Sequence, residues 1–162
     1  MDLLPLIPDN ITEVLTKIIR FTELRETVLQ RNIKQAATSG YVPRDLPVAE
    51  FADILDEAVR EHLNCGCLVF RDTTCVAFCK DGRMTVQPVT DESAGELLHT
   101  DPDQYLQLQG DKLRENALNR RVSQQLLKHS CTATTRLRQT QRRTTGAHRG
   151  APEMSLRTDM ND

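Results

Sequence analysis

Apolar residues spaced three and four positions apart dominate the first forty residues of this chain. They are Ile11, Val14, Leu15, Ile18, Ile19, Phe21, Val28, Leu29 and Ile33. This spacing places them on one side of an α-helix, which we predict over residues 10–37. A helix of this length cannot bury its apolar side against a short hairpin. It therefore requires a second long helix or neighbouring subunits.

The end of this helix is predicted to be a turn of small residues around Gly40. Gly40 can adopt the positive φ that closes many helices, and Pro43 disfavours helical geometry in the residue before it. Arg25 interrupts the apolar side of the helix with a charge. Two interpretations are open: its guanidinium extends to solvent at the edge of the helix interface, or it forms an ion pair with another subunit.

An arginine, a leucine, an Asn-Ile pair, small residues and a Gly-Tyr turn follow one another in this part of the chain. Their positions are Arg25, Leu29, Asn32, Ile33, Ala36, Thr38, Gly40, Tyr41, Arg44 and Asp45. This order resembles the N-terminal signature of the bacterial flagellar basal-body rod proteins, most closely the proximal-rod type of subunit. Lys34 and Gln35 stand where Ala-Asn is usual in that family, and Ser39 stands where proline is usual.

The resemblance implies a structural subunit without enzymatic activity. In such a subunit the first helix pairs with a C-terminal helix in a coiled-coil-like manner and packs against equivalent helices of adjacent subunits. The residues expected at that assembly seam are Ile11, Leu15, Ile18, Ile19, Val28, Leu29 and Ile33. The implied partners are other rod subunits and further copies of the chain, the flagellar export apparatus, and the adaptor that joins the rod to a membrane ring. The implied location is the periplasmic rod of the flagellar basal body, reached by export without a cleaved signal peptide.

The sequence predicts a mainly α subunit organised in five parts. Residues 1–9 form a leader, and residues 10–63 form the first helix, the turn and a second helix. Residues 64–104 form a Cys-rich β or irregular insert and a loop. Residues 105–130 form the C-terminal helix, and residues 131–162 form a basic tail that is predicted to be disordered because it is polar and poor in apolar residues.

Local patterns refine the middle of the chain. The second helix is predicted at residues 47–63 and has an acidic outer side. The segment after it turns to β-branched and aromatic residues, with Asp81 and Gly82 as a hairpin signal, so two or three short strands are expected. Residues 91–104 are expected to be an acidic loop with one brief helical turn at SAGELLH, residues 93–99.

The C-terminal helix is predicted to face the first helix with an apolar stripe. The residues of this stripe are Leu106, Leu108, Leu113, Ala117, Leu118, Val122, Leu126 and Leu127. The tail after the helix contains several arginines but no aromatic residue that could stack on bases, so nucleic acid is not expected as a partner.

Four cysteines lie within fifteen residues: Cys65, Cys67, Cys75 and Cys79. They could hold a tetrahedral zinc ion, form an oxidised pair, or have no function of their own. Their spacing departs from the usual two-residue zinc knuckle. A zinc site would make the chain a small zinc-stabilised binding module whose basic tail contacts nucleic acid, which is the alternative to a rod subunit.

Other functional classes find no support in the sequence. The four histidines are scattered and lie beside no nucleophile motif, so no general base can be named. No glycine-rich loop of the phosphate-binding type is present. No apolar run approaches the roughly 18 residues of a membrane span. We therefore expect no cofactor, no catalytic residue and no direct membrane span.

Overall fold

The computed structural model describes residues 6–79 and 81–146. In this part of the chain the elements follow in the order α1 (Leu6–Lys34), β1 (Arg44–Asp45), α2 (Val48–Cys65), β2 (Val76–Phe78), β3 (Met84–Val86), β4 (Val89–Thr90), α3 (Glu92–Thr100) and α4 (Pro102–Gly146). The protein is mainly helical, as the sequence predicted, and it has two small pairs of antiparallel strands. None of the helices in these two ranges is long and apolar enough to cross a lipid bilayer.

The two long helices, α1 and α4, run antiparallel and pack side by side. Two hydrogen bonds mark their register. The Asn116 side chain donates to the carbonyl of Thr22 over 2.7 Å, and the Tyr105 hydroxyl donates to the carbonyl of Asn32 over 3.2 Å. The first helix therefore packs against the C-terminal helix, whereas a coiled-coil geometry for this pair stays a prediction.

The bounds of α1 differ from the predicted 10–37. The helix begins at Leu6, so residues 6–9 belong to it rather than to a leader, and residues 1–5 lie outside the described residues. Pro8 falls in the first turn, where a proline removes no intrahelical hydrogen bond. The helix ends at Lys34 because turn hydrogen bonds that span three residues replace the four-residue helical spacing. One of them runs from the Thr38 amide to the Gln35 carbonyl over 2.9 Å.

The apolar core lies where α1 and α2 meet the hairpin of β2 and β3. The rings of Phe21 and Phe51 stack with centroids 4.1 Å apart and planes 4° from parallel. Val76 and Met84, one from each hairpin strand, are buried against them. Burial along α2 follows the predicted helical spacing and then stops, since Leu63 near the end of the helix is 78% exposed.

The predicted hairpin is confirmed. Strands β2 and β3 are antiparallel, with Val76 opposite Val86, and Gly82 in the connecting loop has a φ of 81°. A second antiparallel pair joins β1 to β4 and places Arg44 opposite Thr90. This second pair was not predicted, because strands of two residues are too short to show an alternating pattern.

The helical turn predicted at residues 93–99 is confirmed and extends to a nine-residue helix, α3, at Glu92–Thr100, so little of the predicted acidic loop at 91–104 remains. The Asp91 carboxylate accepts a hydrogen bond from the amide of Ala94 over 3.1 Å and so caps the helix. A side-chain oxygen at this position satisfies an otherwise unpaired amide of the first turn, which stabilises even a short helix.

The prediction that the C-terminal helix spans only 105–130 is also wrong. Helix α4 begins at Pro102, where Asp101 caps it by accepting from the Gln104 amide over 3.0 Å, and it continues to Gly146. Residues 131–146 are therefore helical, not a disordered tail. Arg and Gln are favourable in helices, and no Gly or Pro interrupts this stretch before Gly146. The rest of the predicted tail, 147–162, lies outside the described residues.

Candidate functional site

A buried charge network connects α1 to the rest of the molecule. The guanidinium of Arg25 in α1 binds the carboxylate of Asp45 in β1 with two parallel hydrogen bonds, of 2.9 and 3.0 Å. The ammonium of Lys112 in α4 lies 3.1 Å from the second oxygen of Asp45 and also binds Asp91, the cap of α3. Asp45, which is 8% exposed, thus joins β1 to α1 and α4, and Lys112 extends the network to the cap of α3.

Each member of this network favours the charged form of its neighbour. Burial alone would raise the pKa of the Asp45 carboxyl, but the hydrogen bond and charge of Arg25, together with Lys112, hold that pKa below its ordinary value of 3.8. Burial would likewise lower the pKa of Lys112, yet Asp91 and Asp45 raise it above its ordinary value. Arg25, Asp45 and Lys112 are therefore all charged at neutral pH.

Asn32, near the end of α1, is the centre of a second buried network. Its amide nitrogen donates to the carbonyl of Arg44 over 2.7 Å and to the side-chain oxygen of Gln109 over 3.0 Å. Its amide oxygen accepts from the Tyr41 hydroxyl over 2.8 Å and from the Arg44 amide over 3.2 Å. Both donor and both acceptor positions of the amide are therefore occupied.

Tyr105 of α4 completes this region from the other side. Its ring is fully buried and its hydroxyl donates to the backbone carbonyl of Asn32. Burial, followed by the nearby Tyr41 and Asp91, raises the pKa of Tyr105 to about 12. The hydroxyl therefore stays protonated and acts as a hydrogen-bond donor across the neutral range.

The turn between α1 and β1 gives Tyr41 its position. Gly40 has a φ of 73°, a left-handed conformation that glycine adopts without strain. The Tyr41 amide donates to the carbonyl of Thr38 over 3.2 Å. Thr38 and Gly40 themselves are exposed, so they shape the turn rather than enter the network.

The structure thus brings five of the predicted signature residues together: Arg25, Asn32, Tyr41, Arg44 and Asp45. Neither interpretation of Arg25 from the sequence is correct. Its guanidinium does not extend to solvent, and it needs no second subunit as a partner, because Asp45 of the same chain pairs with it. The pairing was missed because Asp45 lies twenty residues away, beyond the reach of helical spacing.

The side of α4 that faces α1 is polar, which the sequence analysis also missed. The buried residues on it are Tyr105, Gln109, Asn116 and Ser123. These positions recur at four and seven residues, so their spacing is as regular as that of the leucines and could have identified them. The predicted leucine stripe is rotated away because the polar side chains find hydrogen-bond partners on α1. One buried side-chain atom in the described ranges, the Nε2 of Gln109, has no hydrogen-bond partner.

Part of the predicted leucine stripe is exposed on the outer side of α4. Leu118, Val122 and Leu126 are 60%, 45% and 52% exposed. The first two line a groove that α1 and α2 close on its other sides. Residues that line this groove from α2 include Val48, Phe51 and Leu55. The groove is a largely apolar surface on the outside of the helix pair.

The predicted seam residues of α1 divide between the interior and the surface. Leu15 and Leu29 are buried, and Ile11 is exposed. The remaining four are partly buried: Ile18, Ile19, Val28 and Ile33. The buried members pack within this chain, so only the partly buried and exposed ones can contact a neighbouring subunit.

The cysteines do not form a cluster in the described ranges. Cys65, Cys67 and Cys79 are exposed free thiols, and Cys75 is partly buried. Burial and the nearby Glu50 carboxylate raise the pKa of the Cys75 thiol. No three His, Cys, Asp or Glu side chains of residues 6–79 and 81–146 are arranged so that they could hold a metal ion. Nothing in this geometry favours the zinc-module alternative.

Comparison of this chain with protein family models, with curated proteins and with solved structures gives no match. A function for the chain is therefore inferred from its own residues and their geometry.

Proposed function

We propose that this chain is a non-enzymatic structural subunit of the bacterial flagellar basal-body rod, of the proximal-rod type, and that it acts by assembly. Its partners are other rod subunits and further copies of itself, with the export apparatus and the rod-to-ring adaptor as further contacts. Its place is the periplasmic rod.

The observation that carries this proposal is the convergence of the signature residues. Arg25, Asn32, Tyr41, Arg44 and Asp45 resemble a family motif in sequence. In space the side chains of Arg25, Asn32, Tyr41 and Asp45, with the backbone of Arg44, form two adjoining networks between α1, the turn and α4. A motif that arose by chance would not be expected to gather its polar members in this way. Buried and fully bonded polar groups fix one arrangement of the elements that carry them.

Fixed geometry is what an assembling subunit requires. The networks hold α1 and α4 in one register, so that their outer residues present a constant surface to neighbours. The exposed and partly buried apolar residues of both helices, such as Ile11, Ile19 and Val122, would supply the contacts between subunits. In this mechanism the polar interior determines the shape, and the apolar exterior provides the association.

The test is the composition of basal bodies from a bacterium that carries this gene. An epitope-tagged copy should co-purify with isolated basal bodies, and deletion of the gene should abolish swimming. Asn32→Ala removes the amide that bonds Arg44, Tyr41 and Gln109, so it should reduce incorporation strongly while the protein is still produced. Asn64→Ala is the matched control, since Asn64 is exposed at the end of α2 and should leave incorporation unchanged.

Absence of the tagged protein from purified basal bodies, in cells that still swim after deletion, would refute the proposal. Equal incorporation of the two asparagine variants would instead show that the Asn32 network has no part in assembly.

A further inference from the structure

A cleft lies beside the Gly-Tyr turn, where three segments of the chain meet. Arg31 lines it from the last turn of α1, Tyr41 and Arg44 line it from the turn and β1, and Pro88 lines it from the link between β3 and β4. Its volume is about 380 Å³, which lies within the range of about 300 to 1,000 Å³ that is usual for small-molecule sites. The cleft is therefore large enough to hold a small organic ligand.

The two arginines of this cleft have no carboxylate partner in the described part of the chain. The arginines that do form ion pairs are Arg20, Arg25, Arg60, Arg71, Arg83, Arg114 and Arg120. Arg44 bonds Asn32 through its backbone alone. Among the arginines whose side chains the structure describes, only Arg31, Arg44 and Arg121 lack an acidic partner, and two of these three line the same cleft.

Both guanidiniums act on one group inside the cleft, the Tyr41 phenol. Burial raises the pKa of Tyr41, while the charges of Arg31 and Arg44 both act to lower it. Residues 31 and 44 are thirteen positions apart, and the turn at Gly40, with a φ of 73°, returns the chain so that both lie beside the phenol. Two positive charges therefore converge on one place, in agreement with the lining of the cleft.

The charge of the cleft is strongly positive. No Asp or Glu is among the described residues that line it. The end of α1 contributes a partial negative charge of about half an elementary charge, which two whole guanidinium charges outweigh. Lys34, in the same last turn of α1, adds a further positive charge nearby. The surroundings thus favour an anion and leave about two positive charges for it to neutralise.

The remaining wall of the cleft is apolar. Val28 from α1, Val42 from the turn and Pro88 contribute aliphatic surface, and Val42 is 54% exposed. Covering such surface with an apolar group is favourable. Gln35 adds a side-chain amide that can donate a hydrogen bond. The wall is therefore suited to a ligand with a charged group and a compact apolar body.

We propose that this cleft binds a phosphate monoester, with the phosphate between Arg31 and Arg44 and the ester group on Val28, Val42 and Pro88. The inference does not rest on the proposed function, since it concerns a small ligand and the purified chain.

A phosphate monoester matches the arrangement better than a dicarboxylate of the same charge. A phosphate monoester carries a charge of about −1.5 to −2 on three terminal oxygens of one group, so two guanidiniums that converge on one place can share it. An arginine fork binds two such oxygens with parallel hydrogen bonds. A dicarboxylate separates its charges, and only one of its groups fits between the arginines.

The experiment is an NMR titration of the purified, ¹⁵N-labelled full-length chain at neutral pH and about 0.1 M salt, where distant charges are screened. Butyl phosphate is the probe, and the amide signals of Gly40, Tyr41 and Val42 report binding. We expect these signals to shift and saturate with a dissociation constant of about 1 mM. Inorganic phosphate, which lacks the apolar body, should bind about 10-fold more weakly, and succinate should bind at least about 10-fold more weakly.

Substitutions identify the groups that hold the ligand. Arg31→Gln and Arg44→Gln should each raise the dissociation constant about 10-fold, because each removes one charged hydrogen-bond donor. Arg121→Gln is the matched control: it makes the same change of net charge at an exposed arginine of α4 without an acidic partner, so binding should stay within about 2-fold of the wild type. Amide signals away from the cleft verify that each variant keeps the fold.

Absence of saturation by about 20 mM butyl phosphate in the wild-type chain would overturn the proposal. So would an Arg31→Gln or Arg44→Gln variant that binds as tightly as the wild type, or an Arg121→Gln variant that is weakened equally. Succinate binding tighter than butyl phosphate would overturn the ligand class, and equal affinity for inorganic phosphate would overturn the role of the apolar wall.

Discussion

Helix α1 has two sides that are held in different ways. On one side Phe21 stacks on Phe51 and packs on apolar residues of the hairpin, beside one hydrogen bond of 2.8 Å from the Lys17 ammonium to the Gly82 carbonyl. On the other side Arg25 and Asn32 meet β1, the turn and α4 through buried hydrogen bonds and ion pairs. Apolar contacts stabilise a fold but tolerate small displacements, whereas a fully bonded polar group permits one partner geometry. The apolar side supplies most of the free energy that stabilises the fold, and the polar side fixes the register of α1 against β1 and α4.

The largest effect is expected on the apolar side. Phe51→Ala leaves a cavity beneath Phe21 and should lower the free energy of unfolding by about 4 kcal/mol, measured by urea denaturation. Leu63→Ala, at an exposed site on the same helix, should change it by less than about 0.5 kcal/mol. Similar losses in both variants would show that the core around Phe51 is not the main source of stability.

On the polar side, Arg25→Ala should lower the free energy of unfolding by about 3 kcal/mol, because it leaves the buried Asp45 carboxylate with only Lys112 and the Leu46 amide as partners. Amide hydrogen exchange should show that protection is lost mainly at the amides of β1 and of the turn before it. Arg20→Ala removes an exposed ion pair with Glu23 and should cost at most about 1 kcal/mol. If exchange rose instead in the hairpin, the division between the two sides would not hold.

Acid should weaken the polar side selectively. The pKa of Asp45 is lower in the folded chain than its ordinary value of 3.8, so its contribution is present above that value and is lost as the pH falls through the folded pKa. Unfolding free energy measured from about pH 6 down to about pH 2 should fall less steeply in Asp45→Asn than in the wild type. If the unfolding free energies of the two proteins fell in parallel with pH, Asp45 would not be the source of the acid sensitivity.

The smallest effect is expected at Gln109. Gln109→Met removes a buried nitrogen that has no partner, and it also removes one acceptor of Asn32, which keeps its bond to the Arg44 carbonyl. These changes oppose each other, so stability should stay within about 1 kcal/mol of the wild type. Asn116→Leu breaks a 2.7 Å bond to Thr22 and should cost more in the same thermal unfolding assay. The opposite order would show that Gln109 has a partner in solution.

Local patterns in the sequence predicted those parts of the fold that depend on residues close together in the chain. The spacing of Phe51, Ile54 and Ala58 gave the buried side of α2, and Asp81 with Gly82 gave the hairpin. The resemblance pointed to signature residues that do come together.

What the sequence did not reveal depends on residues far apart in the chain. The pairing of Arg25 with Asp45, the role of Lys112, and the rotation of α4 all depend on which polar group finds a partner across the fold. Leucines at helical spacing are compatible with several rotations of a helix. Matches between distant polar groups, such as the bond from Asn116 to the Thr22 carbonyl 94 residues away and the bond from Tyr105 to the Asn32 carbonyl, select one rotation.

The hydrogen bonds of Asn32 and Thr22 also determine when the chain can fold. Asn32 bonds to a residue 77 positions later, and Thr22 to one 94 positions later. Until residues 105–123 are available, the polar side of α1 lacks its partners from α4, and contacts at such separation form late. A chain that emerges N-terminus first, from a ribosome or through a narrow channel, therefore remains open until its last third has followed.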